Sequence, residues 1–149
     1  MIIKFEFPPN YAEIDKKFNL TTLKEVVDLQ PIFAYDPFVF NPHRAAFGED
    51  LMQHEATHIL RQHGDPEGWW RKYLDDDQFR LLEEIPAHAI EYFTLARGKD
   101  RPTRRRLFNH VATRLRHPMY GYVPSLSIES AKSLLKTAMK EMNNATELR

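Results

Sequence analysis

The stretch HEATHILRQHG, residues 54–64, decides how the rest of this chain is arranged. It places His54 and His58 four residues apart, with Glu55 directly after the first histidine. Side chains four apart on an α-helix project side by side, so two imidazoles at this spacing can reach one point in space. We therefore predict a helix over residues 49–63 that carries both histidines on one face, beside an apolar face.

Two imidazoles so placed are suitable ligands for zinc (Zn2+), which in catalytic sites takes three protein ligands and keeps a fourth position for water. Glu55 would stand beside both histidines without pointing at the ion that they hold. Its carboxylate could act as general base toward a metal-activated water and then pass the proton to a leaving amine. A polar helix that contains the motif by chance is the alternative, so a third ligand is the independent test.

A third ligand on the same helix is not expected. The metzincin continuation of the motif requires glycine at position 61 and histidine at position 64, where this chain has Arg61 and Gly64. His63 lies well round the helix from the two motif histidines, and we interpret it as a residue that favours the helix end. The third ligand must come from another element.

Glu83 and Glu84 are the candidate carboxylates, in a helix predicted from the aspartates near residue 76 to Gly98 with a kink at Pro86. We favour Glu84 because it stands one turn before Ala87, whose small side chain allows a close approach of helices. His88 could ligate in place of a glutamate, but we favour a supporting or core role.

Composition limits the classes of function. The chain has 149 residues, enough for one domain over residues 1–149, and 21 basic against 21 acidic residues give no net charge. Neither nucleic acid nor a membrane is therefore an expected partner. With no cysteine, a metal would be held by histidine and carboxylate. No signal peptide or membrane span is recognisable, which predicts a cytoplasmic protein.

The periodicity of the remaining sequence predicts an α+β fold that is mostly helical, with a small sheet packed on the histidine helix. Strand-like residues occur at 2–7 and 31–40, and the latter segment predicts a bent strand or a tight hairpin that forms the sheet edge. Further helices are predicted after capping boxes at Asn10/Glu13 and Thr22/Glu25, over residues 107–117 and from residue 128, with a frayed end at 143–149.

Three other features are open to two interpretations. Trp69, Trp70 and Tyr73 could line a groove, but we interpret them as core. The basic run over residues 97–106 could bind an acidic partner, but we interpret it as a solvated loop. Tyr120 and Tyr122 follow Pro118 in a glycine-containing loop, where a phenol could donate to an oxyanion. We retain Tyr120 as the candidate catalytic residue.

Several of these pieces together resemble a family of small, uncharacterised proteins encoded by bacteriophages and related mobile elements. The resemblance covers about residues 30–136 and is carried by His54 to His58 with Gln62, Trp69-Trp70 with Tyr73-Leu74, and Phe79-Arg80 with Glu84 and Ala87. Pro86 and His88 depart from the family pattern. The resemblance implies a minimal, gluzincin-type zinc metallopeptidase with Glu84 as third metal ligand, acting in the cytoplasm of the host cell.

The expected function is hydrolysis of a peptide or protein substrate, held as an extended strand at the sheet edge beside the metal. One alternative is a non-catalytic module in which zinc stabilises the packing of two helices. Another is a regulatory peptidase specific for one partner protein. A nucleic-acid binder that uses the arginine run is the weakest alternative.

Overall fold

A computed structural model of the chain describes residues 1–27 and 30–147, and it confirms an α+β fold that is mostly helical. The elements in chain order are β1 (Ile2–Lys4), α1 (Tyr11–Phe18), α2 (Leu20–Val27), β2 (Phe33–Tyr35), β3 (Phe38–Phe40), α3 (Glu49–Gln62), α4 (Pro66–Asp75), α5 (Asp77–Ala96), α6 (Arg101–Leu115), a 3₁₀ turn (Pro118–Tyr120) and α7 (Ile128–Glu147). No helix within the described ranges is long and apolar enough to cross a membrane.

The sheet has the strand order β1-β3-β2. β1 runs parallel to β3, and β2 pairs antiparallel with β3 so that Phe33 lies opposite Phe40 and Tyr35 opposite Phe38. The turn between β2 and β3 is Asp36–Pro37, so residues 31–40 contain a tight hairpin, one of the two predicted alternatives. β2 lies at the edge of the sheet and packs against α3, as predicted.

The outward edge of β2 is already hydrogen-bonded within the protein. The carbonyl oxygen of Ala34 accepts from Nε2 of Gln62 at 2.9 Å and from Nε1 of Trp70 at 2.9 Å. The amide of Asp36 donates to Oε1 of Gln62 at 2.7 Å. A substrate strand would have to displace these bonds to pair with Ala34 and Asp36, and strand addition at the sheet edge stays a prediction.

Helix α3 turns its histidine face inward. His54, Glu55, His58 and Gln62 are buried, whereas Leu60 on the apolar face is 75% exposed. Burial of so many polar groups is costly unless they meet partners, and the partners come mainly from α5, with which α3 makes its most extensive packing. The helix ends at Gln62, and the residue that follows it, His63, adopts the left-handed conformation with φ 50°.

Helix α4 was not predicted as a helix, although its start signals are present in the sequence. Asp65 accepts a hydrogen bond from the amide of Gly68, and proline stands at the first helical position. Trp69, Trp70 and Tyr73 on this helix are buried, in agreement with their interpretation as core, and Trp70 and Tyr73 also line a cavity beside the histidines. They belong to a hydrophobic cluster with residues of α1 and the sheet.

Helix α5 was predicted, and it continues through Pro86. The side chain of Asp76 accepts from the amides of Gln78 and Phe79 and so caps the first turn. The middle of the helix packs on α6 and α7 in a second hydrophobic cluster, which contains Ile85 and Ala89. The face of α5 toward α3 is polar instead, and this face carries the candidate site.

Three details of the predicted helices are wrong. Residues 101–106 are the first part of α6, capped by Asp100, which accepts from the amide of Thr103; the arginines there are exposed, but on a helix. Helix α7 extends to Glu147, so the frayed end predicted at 143–149 stays a prediction, and its last two residues lie outside the described ranges. Asn10 precedes α1 without a side-chain capping bond. Helix α2 begins at Leu20, ahead of the predicted box at Thr22.

Candidate metal centre

Three buried side chains meet between α3 and α5. Nε2 of His54 lies 3.1 Å from Nε2 of His58. The carboxylate of Glu84 faces both rings, with Oε2 at 3.5 Å from Nε2 of His54 and Oε1 at 3.4 Å from Nε2 of His58. The structure thus brings together the three residues that the sequence singled out as metal ligands.

The spacing of these atoms fits a metal ion. Ligand atoms bound tetrahedrally to zinc at its usual bond lengths lie about 3.3–3.4 Å from one another. The two Nε2 atoms are 3.1 Å apart, each lies 3.4–3.5 Å from a different oxygen of Glu84, and one ligand atom from each of the three residues lies within 4.8 Å of the other two. Oε2 of Glu84 and Nδ1 of His58 have no hydrogen-bond partner among the described residues, although both are buried. His54, His58 and Glu84 could therefore hold a metal ion.

Glu91 supports the centre from behind. Its Oε2 lies 3.1 Å from Nδ1 of His54 and 3.0 Å from Nδ1 of His88, and Arg114 donates to its Oε1. A carboxylate accepts hydrogen bonds, so Nδ1 of each ring donates to Glu91, and a ring that gives up its second proton to bind an ion would turn the lone pair of Nε2 toward the cavity. Burial alone would raise the pKa of Glu91, but hydrogen bonds from His54 and His88 hold it well below its usual range.

His88 lies beside the three candidate ligands. Its Nε2 is 3.4 Å from Oε2 of Glu84 and 3.1 Å from the hydroxyl of Tyr120. His54, His88 and Glu91 form a second group whose atoms are close enough for a metal. Because Glu91 is already paired with the guanidinium of Arg114, we interpret this second group as hydrogen-bonded support for the first.

Two tyrosine hydroxyls reach the centre from different segments. Tyr73 of α4 donates to Oε1 of Glu84, and Tyr120 lies against His88. Arg80 connects the two segments: its side chain is fully buried and donates to the carbonyl oxygens of Tyr73 at 2.6 Å and Tyr120 at 2.8 Å. The hydroxyl of Tyr122 is buried and has no partner within the described ranges.

Glu83, the rival carboxylate, points elsewhere. It accepts from Nε and Nη2 of Arg61, both at 2.8 Å, and from Nε1 of Trp69 at 2.8 Å. These three donors engage both oxygens of the Glu83 carboxylate. The structure therefore places Glu84, and not Glu83, with the histidines.

Glu55 lies in the wall of the same cavity as the three candidate ligands and outside the ligand triangle. Burial raises the pKa of its carboxyl, and the neighbouring His54 and His58 oppose that rise. A carboxylate whose pKa is raised is a better proton acceptor near neutral pH. Glu55 thus shares the cavity of the candidate ligands and carries a carboxyl of raised pKa.

The protonation of the candidate ligands follows from their mutual contacts. Burial alone would lower the pKa of His54, but hydrogen bonds to Glu84 and Glu91 raise it to about 10. Burial opposes ionisation of Glu84, yet the surrounding histidines, His58 first, hold its pKa well below the usual range. Without an ion, the centre is thus a proton-bearing cluster of opposite charges.

Sequence reasoning missed Glu91, Arg80 and the hydroxyl of Tyr73. A signal was present for the first two, because residues 80, 84, 88 and 91 recur at helical spacing and form one buried polar stripe along α5. No protein-family model, curated protein or solved structure matched this chain. The proposals below therefore stand on the geometry of the described residues.

Proposed function

We propose that this chain is a zinc-dependent peptidase with a minimal, zincin-like site in which His54, His58 and Glu84 hold the ion. The observation that carries the proposal is the meeting of three buried side chains, with the two Nε2 atoms 3.1 Å apart, an oxygen of Glu84 within 3.5 Å of each, and Glu55 beside them in one cavity. If the H-E-x-x-H pattern stood on this helix by chance, we would not expect a buried carboxylate from another helix to face both histidines as a third ligand. The absence of cysteine is consistent with a site of histidine and carboxylate ligands.

The side chains have separate tasks in this proposal. Zinc, when bound, would lower the pKa of a water molecule and polarise the substrate carbonyl. Glu55 takes the proton from the attacking water and delivers it to the leaving amine. The hydroxyl of Tyr120 lies 3.1 Å from Nε2 of His88, and it would turn its one O–H from that nitrogen to the oxygen that becomes negative as the tetrahedral intermediate forms. Glu91 fixes the ring of His54 so that Nε2 faces the ion.

The test separates the base from the ligands. Glu55→Gln keeps the size of the side chain and removes its basicity, so we expect one zinc per chain, unchanged folding, and a loss of at least about a hundredfold in peptide hydrolysis. Glu67→Gln, a change of the same kind at an exposed site, serves as the matched control. Metal analysis and the appearance of new N-termini in a treated cell lysate are the measurements. If Glu55→Gln cleaves as well as Glu67→Gln, the peptidase mechanism is wrong.

One observation favours a second candidate, a non-catalytic zinc module. Nε2 of His88 lies 3.4 Å from Oε2 of Glu84, close enough to supply a fourth ligand and close the position that water needs. Cobalt substitution distinguishes the two: a site with an open position changes its visible spectrum when azide is added, whereas a site closed by His88 does not. A response to azide in the wild-type protein would exclude the closed module.

A further inference from the structure

The candidate centre opens into a cavity of about 100 Å³ whose remaining wall is apolar. His54, Glu55, His58 and Glu84 form one side of this cavity, joined by the ring-bearing side chains of Trp70, Tyr73 and Tyr120. The opposite side comes from α1, α2, the segment around β2 and the 3₁₀ turn, and it is lined by Ile14, Phe18, Leu20, Ile32, Phe33 and Met119.

The described residues of the apolar wall provide no free hydrogen-bonding side chain to a polar group of a ligand. The indole nitrogen of Trp70 is already bonded to the carbonyl of Ala34. A charged or amide side chain entering here would lose its hydration without gaining a hydrogen bond, whereas an apolar side chain gains from burial. The volume is below the roughly 150 Å³ of a cavity that holds a benzene ring. It matches one aliphatic side chain.

We propose, resting on the proposed peptidase function, that the substrate is a peptide with an aliphatic residue next to the scissile bond, and that this cavity takes its side chain. Leucine, isoleucine, valine and methionine are the preferred residues. The bonds of Gln62 and Trp70 to β2 strengthen the inference, because a substrate would have to displace them to pair with Ala34 and Asp36. Recognition then depends on a side-chain cavity instead of a sheet edge.

The first experiment measures binding without hydrolysis. Leucine, glycine and aspartate hydroxamates share one metal-binding group and differ in side chain, and calorimetry gives their affinities for the zinc-loaded protein. We expect leucine hydroxamate to bind at least about tenfold more tightly than glycine hydroxamate, as burial of a leucine-sized side chain requires. Aspartate hydroxamate should bind more weakly than both.

Two variants test whether the preference comes from this cavity. Ile32→Lys places an ammonium group in the apolar wall at a half-buried position. Ile2→Lys makes the same change on β1 at a residue that is 59% exposed and outside the cavity. The leucine preference should disappear in Ile32→Lys, with a gain for aspartate hydroxamate, and should remain in Ile2→Lys. Equal affinities in wild type, or equal behaviour of the two variants, would overturn the assignment.

A second experiment separates this inference from the proposed function. A mixed peptide library is incubated with the zinc-loaded protein, and the residues on both sides of each cleaved bond are read by mass spectrometry. Aliphatic enrichment on one side supports both proposals, and cleavage without such enrichment overturns the cavity while leaving the peptidase. A leucine preference in binding with no cleavage of any peptide supports the cavity and contradicts the peptidase.

Discussion

Three carboxylates on α5 predict a graded loss of metal affinity. Glu84 faces both histidines, Glu91 accepts from Nδ1 of His54, and Glu83 is bonded to Arg61 on another side of the helix. Replacing each in turn by glutamine removes one negative charge, nearly preserves the shape, and leaves the helix intact. The three variants differ only in what the lost charge was facing.

The expected magnitudes follow from those contacts. Glu84→Gln loses a direct ligand. Its affinity for zinc should therefore fall by more than the roughly 10–100-fold that is typical when a residue hydrogen-bonded to a metal ligand is replaced. Glu91→Gln should fall within that 10–100-fold range, because an amide holds His54 less firmly and leaves Arg114 without its charge partner. Glu83→Gln should keep wild-type affinity, but lose about 1–3 kcal/mol of stability as Arg61 loses a buried charged acceptor.

Affinity is measured at pH 7 by competition with a chromophoric zinc chelator, and the stability of each metal-free variant by urea unfolding. The order of zinc affinities should be Glu83→Gln, then Glu91→Gln, then Glu84→Gln, with the last the weakest. Wild-type affinity in Glu84→Gln would refute the ligand assignment. A loss of zinc in Glu83→Gln as large as in Glu84→Gln would show that α5 responds to any lost charge.

Three further predictions concern pH, the arginines and the sheet edge. In the metal-free protein the pKa of His54 is raised from 6.5 to about 10, so its contribution to stability is complete below pH 6.5 and is lost as the pH rises toward 10. The free energy of unfolding in urea should therefore fall between pH 6.5 and 9.5. In His54→Gln this pH dependence should be smaller. Reversing Arg105 and Arg106 to glutamate should change stability by no more than about 0.5 kcal/mol and leave the metal content intact, because both are exposed; a larger loss would contradict a solvated helix face. Gln62→Leu should cost about 1–3 kcal/mol in thermal unfolding, since the amide of Asp36 loses its acceptor; an unchanged melting temperature would contradict that role.

The candidate metal ligands were predictable because each rests on a local rule. Helical spacing placed His54 and His58 side by side, and it distinguished Glu84 from Glu83 by about 100° of helix rotation. The residues that hydrogen-bond to these candidate ligands and to Glu91 were not predictable in this way. Nothing local in the sequence says that Arg114 of α6 faces Glu91, or that Tyr73 of α4 reaches Glu84, because these contacts depend on how three helices pack.

The elements that were missed show where local patterns mislead. The run of arginines after Asp100 suggested a loop, although Asp-Arg-Pro-Thr is a helix start with a cap and an early proline. In α3 the pattern placed the histidines beside an apolar face without saying which face is buried; the histidine face is buried, whereas Leu60 on the apolar face is exposed. A hydrophobic pattern cannot reveal a polar helix face that is buried because another helix supplies its hydrogen-bond partners.

The clamp formed by Arg80 has a consequence for the timing of events at the centre. Its guanidinium holds the carbonyl of Tyr73, in the last turn of α4, and the carbonyl of Tyr120, in the 3₁₀ turn, at the same time. Both phenols are therefore oriented before any ligand arrives, and little conformational entropy remains to be lost when one binds. In the proposed peptidase, a site assembled in advance would need no closing motion, so its rate would be set by chemistry or by the departure of product instead of by a lid.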